Sequence, residues 1–220
     1  MWLMIAVITR CRNRLEYTIR TIQSVAKTGG EQYKHIIIDN ESTDGTLQWF
    51  RWISENTNIL KNCEYYRYEK NQGDWGGMLV AQPFTKGCDY IVQLDNDILV
   101  PPNWLTALRT VLDNTDYEVV MLRRENVAWK LRPLTEPKNI DGYLTARVER
   151  AVACFMMGKK FYDLCCQRIP ISKGMRSKYI IANLAKRQIG KILNVKCQEI
   201  DSLTQRKVYS PKNPQVWEKI

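Results

Sequence analysis

The sequence has little that would let it cross a membrane, staple itself with disulfides or bind zinc. Its 220 residues contain no run of about eighteen apolar positions, so no membrane span is expected. None of its seven cysteines falls in a C-x-x-C pair, and Cys165 and Cys166 are adjacent. An odd count without such spacing suits neither a disulfide framework nor a zinc site; it implies reduced, buried thiols and a cytoplasmic setting. The one histidine, His35, lies in an apolar stretch where a structural role is expected. The start, MWLMIAVI, has no basic residues ahead of it and is followed by Arg10, Arg12 and Arg14, so it reads as a first strand rather than a signal peptide. No repeat, low-complexity tract or linker divides the chain. One domain is expected over residues 1–200, with a polar tail, 201–220, that holds Pro211 and Pro214.

Charge is plentiful but uneven. Residues 1–100 hold 11 Lys and Arg against 12 Asp and Glu, a net −1; residues 101–220 hold 22 against 11, a net +11. The excess lies in the second half. It is either a solvated basic face or the seat of an acidic partner such as nucleic acid, anionic lipid or a phosphate-rich acceptor.

The first half alternates strand and helix. Apolar strands are expected at 1–9, 33–39, 63–68 and up to Asp95. Leu15, Ile19, Ile22 and Ala26 mark one helix, and Leu47, Phe50 and Ile53 a second, capped by Thr43 or Asp44. The glycine-punctuated NQGDWGG opens a short third helix reaching about Lys86. Near-continuous apolar strands in this alternation predict a Rossmann-like, mostly parallel sheet with helices on both faces, binding ligands beyond the carboxyl ends of its strands. After Asn114 the pattern changes. Residues 118–122, 127–131, 143–147 and 151–157 read as strands without long helices between them. A helix capped by Ser177 and carrying Ile181, Leu184, Ala185 and Gln188 precedes a last strand at 192–197, so this half is expected to be mixed or antiparallel.

The stretch around which the rest is arranged is YIVQLDNDILVPPNWL, residues 90–105. A short apolar strand runs into Asp95-Asn96-Asp97, and Pro101-Pro102 ends any regular ladder, with Asn103 placed to cap a helix from Trp104. Two carboxylates one residue apart at the end of a buried strand are costly unless paired. A hard cation, Mg²⁺ or Mn²⁺, pairs with them and keeps positions open for phosphate oxygens. An ordinary Asp-Asn-Asp turn with solvated carboxylates is the alternative.

Three stretches in order, AVITRCRNRLEYTIRTIQSV, HIIIDNESTDGT and YIVQLDNDILVPPNWL, resemble the family 2 glycosyltransferases and their nucleotide-diphosphosugar transferase (GT-A) fold. The resemblance covers residues 3–115 well and 150–197 loosely. It divides the domain into a nucleotide-sugar half, 1–115, and an acceptor half, 116–200. It implies an inverting sugar transfer from a nucleoside diphosphate donor, usually UDP-linked, with Mn²⁺ or Mg²⁺. It places Thr9 and Arg10 where the first strand meets the nucleotide, Asp39 on the base and Asp44 in the loop beside it. Asn71 and Gly73 fall in the segment lining the nucleotide, and Asp95, Asn96 and Asp97 in the metal-diphosphate motif. Asp44 and Asn71 also read simply as turn residues.

The sequence departs from that pattern where the family carries an acidic pair whose second member is the general base. The corresponding SKGMRSKYIIANLAKRQIG has no acid, and Met175-Arg176 stand in its place. Asp141, Glu149 and Asp163 are the remaining candidates for the base. Lys173, Arg176, Lys178, Lys186 and Arg187 form the basic side of the acceptor half. A polyanionic acceptor is therefore expected: DNA carrying a hydroxylated base, flipped from its stack, or a phosphate-linked lipid, capsule or cell-surface glycan. A catalytically inactive nucleotide-sugar or nucleic-acid binding protein on the same fold is the competing class.

Overall fold

The computed structural model describes residues 3–56, 62–125, 131–169 and 176–200. Strands β1 (Ile5–Cys11), β2 (Tyr33–Asn40), β3 (Cys63–Tyr68) and β4 (Tyr90–Asp95) form the parallel half of the sheet, in spatial order β3-β2-β1-β4. β1, β2 and β4 carry β-branched residues and β3 is rich in tyrosine, and β1 is buried along nearly its whole length, as a strand covered on both faces must be.

Helices α1 (Leu15–Thr28), α2 (Thr46–Asn56) and α3 (Gly73–Val80) connect them, with a 3₁₀ turn, Gln82–Thr85, leading into β4. Alternation sorts the side chains. Ala6, Ile8, Ile36, Ile38 and Ile91 face one core with residues of α3 and later helices, whereas Ile37 and Cys11 pack with Phe50 and Ile53 of α2 on the other face. Helix α1 ends where Gly29 lies against Tyr33, so closely that a Cβ would sit 2.3 Å from Cε1 of the ring.

A two-residue strand β5 (Ile98–Leu99) and helix α4 (Trp104–Asp113) precede β6 (Val119–Glu125). Asn103 occupies the cap position of α4 in a left-handed conformation (φ 59°) but makes no side-chain cap bond. The hairpin β7 (Lys138–Ile140) and β8 (Tyr143–Arg147) follows, then β9 (Cys154–Gly158), α5 (Lys159–Arg168), α6 (Arg176–Leu184) and β10 (Ile189–Glu199). Strand β9 inserts antiparallel between β4 and β6; β10 runs parallel to β6 and antiparallel to β8 and β5. The second half is mixed, as its sequence leads one to expect.

Several details differ from the sequence reading. The first strand begins at Ile5, and β9 begins three residues later than expected, because Ala151 and Val152 are buried in a loop and Ala153 turns left-handed at φ 63°. Helix α5 is an addition. Its buried Phe161, Tyr162, Cys165 and Cys166 make a helical stripe that follows β9 without a break. Ser177 lies inside α6 rather than capping it. The expected strand at 127–131 and the tail 201–220 fall almost wholly or wholly outside the described residues. All seven cysteines are free thiols, six of them buried. No described helix is long and apolar enough to cross a membrane.

Candidate active site

The carboxyl ends of β1 and β4 lie side by side, and register pairs Arg10 with Asp95. Paired residues of neighbouring strands share a face, so guanidinium and carboxylate emerge together and Arg10 Nη2 donates to Asp95 Oδ1 at 3.2 Å. Gln93, two residues back on the same face, donates to the same oxygen at 3.2 Å. The stem of Arg10 lies on α3. A Cβ at Gly77 would come within 2.5 Å of Arg10 Cδ and 2.6 Å of Cγ, so glycine leaves the room that the arginine needs.

Asp97 stands in the turn between β4 and β5, pinned by a bond from Ile200 N to its carbonyl at 2.7 Å. Arg14 Nη1 donates to Asp97 Oδ2 at 3.0 Å. The backbone that carries Arg14 is unusual: Asn13 and Arg14 are both left-handed, at φ 58° and 62°. The loop after β2 holds them there. Ser42 Oγ accepts from Asn13 N at 2.8 Å, Asn13 Oδ1 accepts from Thr43 N at 2.7 Å, and Asp44 Oδ2 accepts from Leu15 N at 3.0 Å.

Burial, and after it the charge of Asp95, push the Asp97 carboxyl up from its usual range, while Arg14 opposes them. Two carboxylates that resist ionising together gain most from an added positive charge. Their hard oxygen donors fit Mg²⁺ or Mn²⁺, which complete their coordination with water and phosphate oxygens. Among the described residues no cluster of three or more His, Cys, Asp or Glu is suited to a metal, so a cation here would depend on the ligand for the rest of its shell.

The opposite wall is stitched by two asparagines. Asn40 Nδ2 donates to Asn71 Oδ1 at 2.8 Å and to the Gly73 carbonyl at 3.3 Å, while Asn40 Oδ1 accepts from Gln72 N and Asn71 Oδ1 from Gly73 N. The resulting cleft, about 370 Å³, is lined by Arg10, Cys11, Arg12, Arg14, Asn40, Asn71, Gly73, Asp95, Asn96, Asp97 and Lys178. Cys11 is a neutral part of the wall. Burial, then Asp39 and Asp44, push its thiol well above the usual range, so it stays protonated.

Of the residues expected from sequence, Arg10, Asn71, Gly73, Asp95, Asn96, Asp97 and Lys178 come together in this cleft. Thr9, Asp39 and Asp44 do not line it. Thr9 is fully buried with its Oγ1 2.8 Å from His35 Nε2. Asp44 bonds Thr46 and the first turn of α1. β2 runs one residue further than expected, to Asn40, and register sets Asp39 in the row of Cys11 and Arg67 on the α2 face, away from the row of Asp95. Its carboxylate is wholly covered and accepts from Ser42 N, Tyr65 Oη at 2.6 Å and Arg67 Nη1 at 2.7 Å. Read as it stands, Asp39 offers a nucleotide base no exposed edge.

The three acids considered for the base lie outside the cleft lining. Asp141 sits at φ 48° in the turn of the β7–β8 hairpin, at the far edge of the sheet from β4. Glu149 pairs with Arg150 on an exposed loop. Asp163, on α5, accepts from Lys159 at 2.5 Å and Gln82 at 2.9 Å; burial pushes its carboxyl up, but these bonds outweigh it and hold it below the usual range. None lines the cleft. Among the described residues Asp95 and Asp97 are its only carboxylates. Of the basic group, Lys178 reaches the cleft. Lys186 and Arg187 occupy a left-handed turn beyond the other end of α6, about 12 Å along the axis; Lys173 lies outside the described residues. Sequence reasoning missed Arg12, Arg14, Asn40 and Cys11. The signal for the arginines was their spacing, three in five residues at the carboxyl end of a first strand.

Comparison with known proteins bears on family and fold. The profile of Glycosyl transferase family 2 matches residues 6–182. An uncharacterized glycosyltransferase of Mycoplasma pneumoniae, the MG060 homolog, is 30% identical over 88 residues, which is 39% of this chain and 28% of that protein. Among solved structures, S. aureus TarS 1-349 in complex with UDP superposes with a TM-score of 0.70 at 17% identity, over 89% of this chain and 60% of that one. GalNAc-T7 with UDP, GalNAc and Mn²⁺ superposes with a TM-score of 0.73 at 15% identity, over 92% of this chain and 45% of that one. The chain thus spans between about a quarter and three fifths of the length of these proteins. At such identities the structural likeness speaks for the fold, an α/β GT-A domain, while the profile match over most of the sequence speaks for kinship: the chain belongs to glycosyl transferase family 2.

Proposed function

We propose that the chain transfers a sugar from a UDP-linked donor to a hydroxyl of an acidic acceptor, with Mn²⁺ or Mg²⁺ held by Asp95 and Asp97. The observation that carries this reading is the cleft itself, which sets two carboxylates among three arginines at the carboxyl ends of parallel strands. A bound divalent cation would offset the charge that builds on the departing diphosphate. Arg10 and Arg14 add fixed positive charge at the same place, and the Asn40–Asn71 pair holds the α3 wall against the nucleotide side. The superposed structures of TarS with UDP and of GalNAc-T7 with UDP, GalNAc and Mn²⁺ support a UDP-sugar and a cation.

A panel of UDP-sugars incubated with the protein and Mn²⁺ tests the reading through release of UDP. Cation-dependent release from one member supports it; no release from any, with or without acceptor, overturns it as an enzyme. The second reading, a binding protein without turnover, draws on one fact: among the described residues the cleft holds no carboxylate beyond Asp95 and Asp97 to take the acceptor's proton. Tight UDP binding without any release would select it.

The acceptor side rests on charge. The net +11 of residues 101–220 and the presence of Lys178 in the cleft favour a polyanion, either hydroxylated-base DNA or a phosphate-linked glycan or lipid. Binding to duplex DNA and to anionic vesicles, titrated from low to physiological salt, distinguishes these, because phosphate-dominated binding falls steeply with salt. Failure with both at every salt concentration leaves a neutral sugar acceptor. The seven free thiols fit a reducing, cytoplasmic setting.

A further inference from the structure

Arg10 and Arg14 answer the same two carboxylates but are held in different ways. Arg10 is the more enclosed, its side chain 14% exposed and its stem wedged against the backbone of α3 at Gly77. Arg14 is 29% exposed, its guanidinium 5.1 Å from the centroid of the Tyr17 ring. Its backbone is fixed in the left-handed turn that the loop after β2 supports, so the root is rigid while the long side chain reaches into open cleft.

The cleft sets four cationic side chains, Arg10, Arg12, Arg14 and Lys178, against Asp95 and Asp97. A divalent cation approaching Asp97 meets the guanidinium already on that carboxylate, and like charges at contact distance repel. A diphosphate, by contrast, presents paired oxygens that a guanidinium fork grips as well as it grips a carboxylate. Each ligand therefore removes the obstacle to the other.

We propose that Arg14 is an exchangeable counter-ion, paired with Asp97 while the cleft holds no donor and moving onto the diphosphate of the nucleotide when a divalent cation takes Asp97. Arg10 stays on Asp95 throughout. The proposal rests on the reading of the cleft as a nucleotide-diphosphate site. It makes cation and nucleotide binding mutually reinforcing, a coupling set by one side chain.

The test uses the whole chain, wild type and Arg14→Gln, with Mn²⁺ binding measured alone by electron paramagnetic resonance and UDP binding by calorimetry with and without Mn²⁺. In Arg14→Gln, Mn²⁺ alone should bind about fivefold tighter, because the competing charge is gone. UDP in the presence of Mn²⁺ should bind about tenfold weaker, having lost a charged partner. The factor by which Mn²⁺ improves UDP binding should shrink accordingly. Equal Mn²⁺ affinity in the two proteins overturns the exchange, and so does unchanged UDP affinity. Should Arg14→Gln melt early, Arg14→Lys carries the test, with the same directions at smaller size because the charge remains and the fork is lost. A wild type that binds no UDP under any condition removes the donor-site reading and this inference with it. Normal wild-type binding with a variant indistinguishable from it removes the exchange alone.

Discussion

Asp39 and Asp95 lie at the carboxyl-terminal parts of the strands on either side of β1, yet register turns their carboxylates to opposite faces of the sheet. Asp39 pairs with Cys11 and Asp95 with Arg10, and consecutive residues of one strand point apart. One acid is therefore spent inside the α2 face and the other is delivered to the cleft.

Replacing Asp97 by asparagine should abolish sugar transfer and leave the fold intact. The change keeps the shape of the side chain, removes the negative charge that a cation needs, and relieves both the burial of that charge and its crowding with Asp95, which together push Asp97 up. The melting temperature should hold steady or rise. EDTA should reproduce the loss of activity in the wild type; undiminished turnover in EDTA would remove the cation from the reaction.

Gly77→Ala probes the seat of Arg10. In an open helix the substitution favours folding by about 1 kcal/mol. Here the new Cβ would press on Cγ and Cδ of Arg10, so the side chain must shift and its 3.2 Å bond to Asp95 must lengthen or break. Affinity for UDP should fall about tenfold, the effect of disturbing a charged contact, and the protein should not gain the stability that the same change gives in an open helix, because the new Cβ meets Arg10. UDP titration beside a melting curve checks both.

His35 gives the fold a pH dependence of its own. Burial pushes the imidazole down to about 3, and the ring stays neutral against Thr9. Between that value and the ordinary pKa near 6.5 the unfolded chain binds a proton that the folded chain does not. Stability contributed by this group is therefore complete above about pH 6.5 and falls as pH drops below it, by at most about 1.4 kcal/mol per unit. Urea midpoints measured from pH 7.5 to 5 should decline, and His35→Gln should flatten the decline. An unchanged slope would show that other groups govern it.

Much of this was legible in the sequence, and the reason differs by region. The parallel half could be read because its strands are apolar or aromatic-rich runs bounded by turn residues, so β3 and β4 begin and end where their patterns do. The cleft acids could be read because Asp95-Asn96-Asp97 follows a strand end directly. The partners of Asp39 could not be read, since facing depends on register across β1 and on Tyr65 and Arg67, which stand 26 and 28 positions away. Arg14 was hidden for a related reason: its reach to Asp97 spans 83 positions and depends on a left-handed backbone conformation that arginine seldom adopts. That Asp141, Glu149 and Asp163 lie outside the cleft lining could not be read, because a list of acids carries no information about which edge of the sheet each occupies.

The last prediction turns on what Asp39 does. Were it an exposed reader of the base, Asp39→Asn would weaken UDP binding and spare the fold. The geometry predicts the reverse order of effects. Its carboxylate closes three bonds within the protein, to Ser42 N, Tyr65 and Arg67. Burial, and after it the bond to Asp39, push the Tyr65 hydroxyl up, so that side chain remains a donor. Asp39→Ala would strand the Arg67 guanidinium beside a cavity and leave two further donors unmet. Breaking a buried pair from one side costs about 3–5 kcal/mol, and because the Arg67 side chain keeps 25% of its exposure the loss should fall near the lower end, about 3 kcal/mol. Asp39→Ala combined with Arg67→Met should recover part of that loss, since the second change removes the stranded charge. Chemical unfolding of the two single variants and the double variant measures the coupling. UDP titration on whichever variants remain folded supplies the comparison. A stable Asp39→Ala protein with selectively weakened UDP binding would return Asp39 to the base and reassign Arg67 as its escort; a strongly coupled cycle with UDP affinity held within about threefold keeps Asp39 as the keystone of the α2 face.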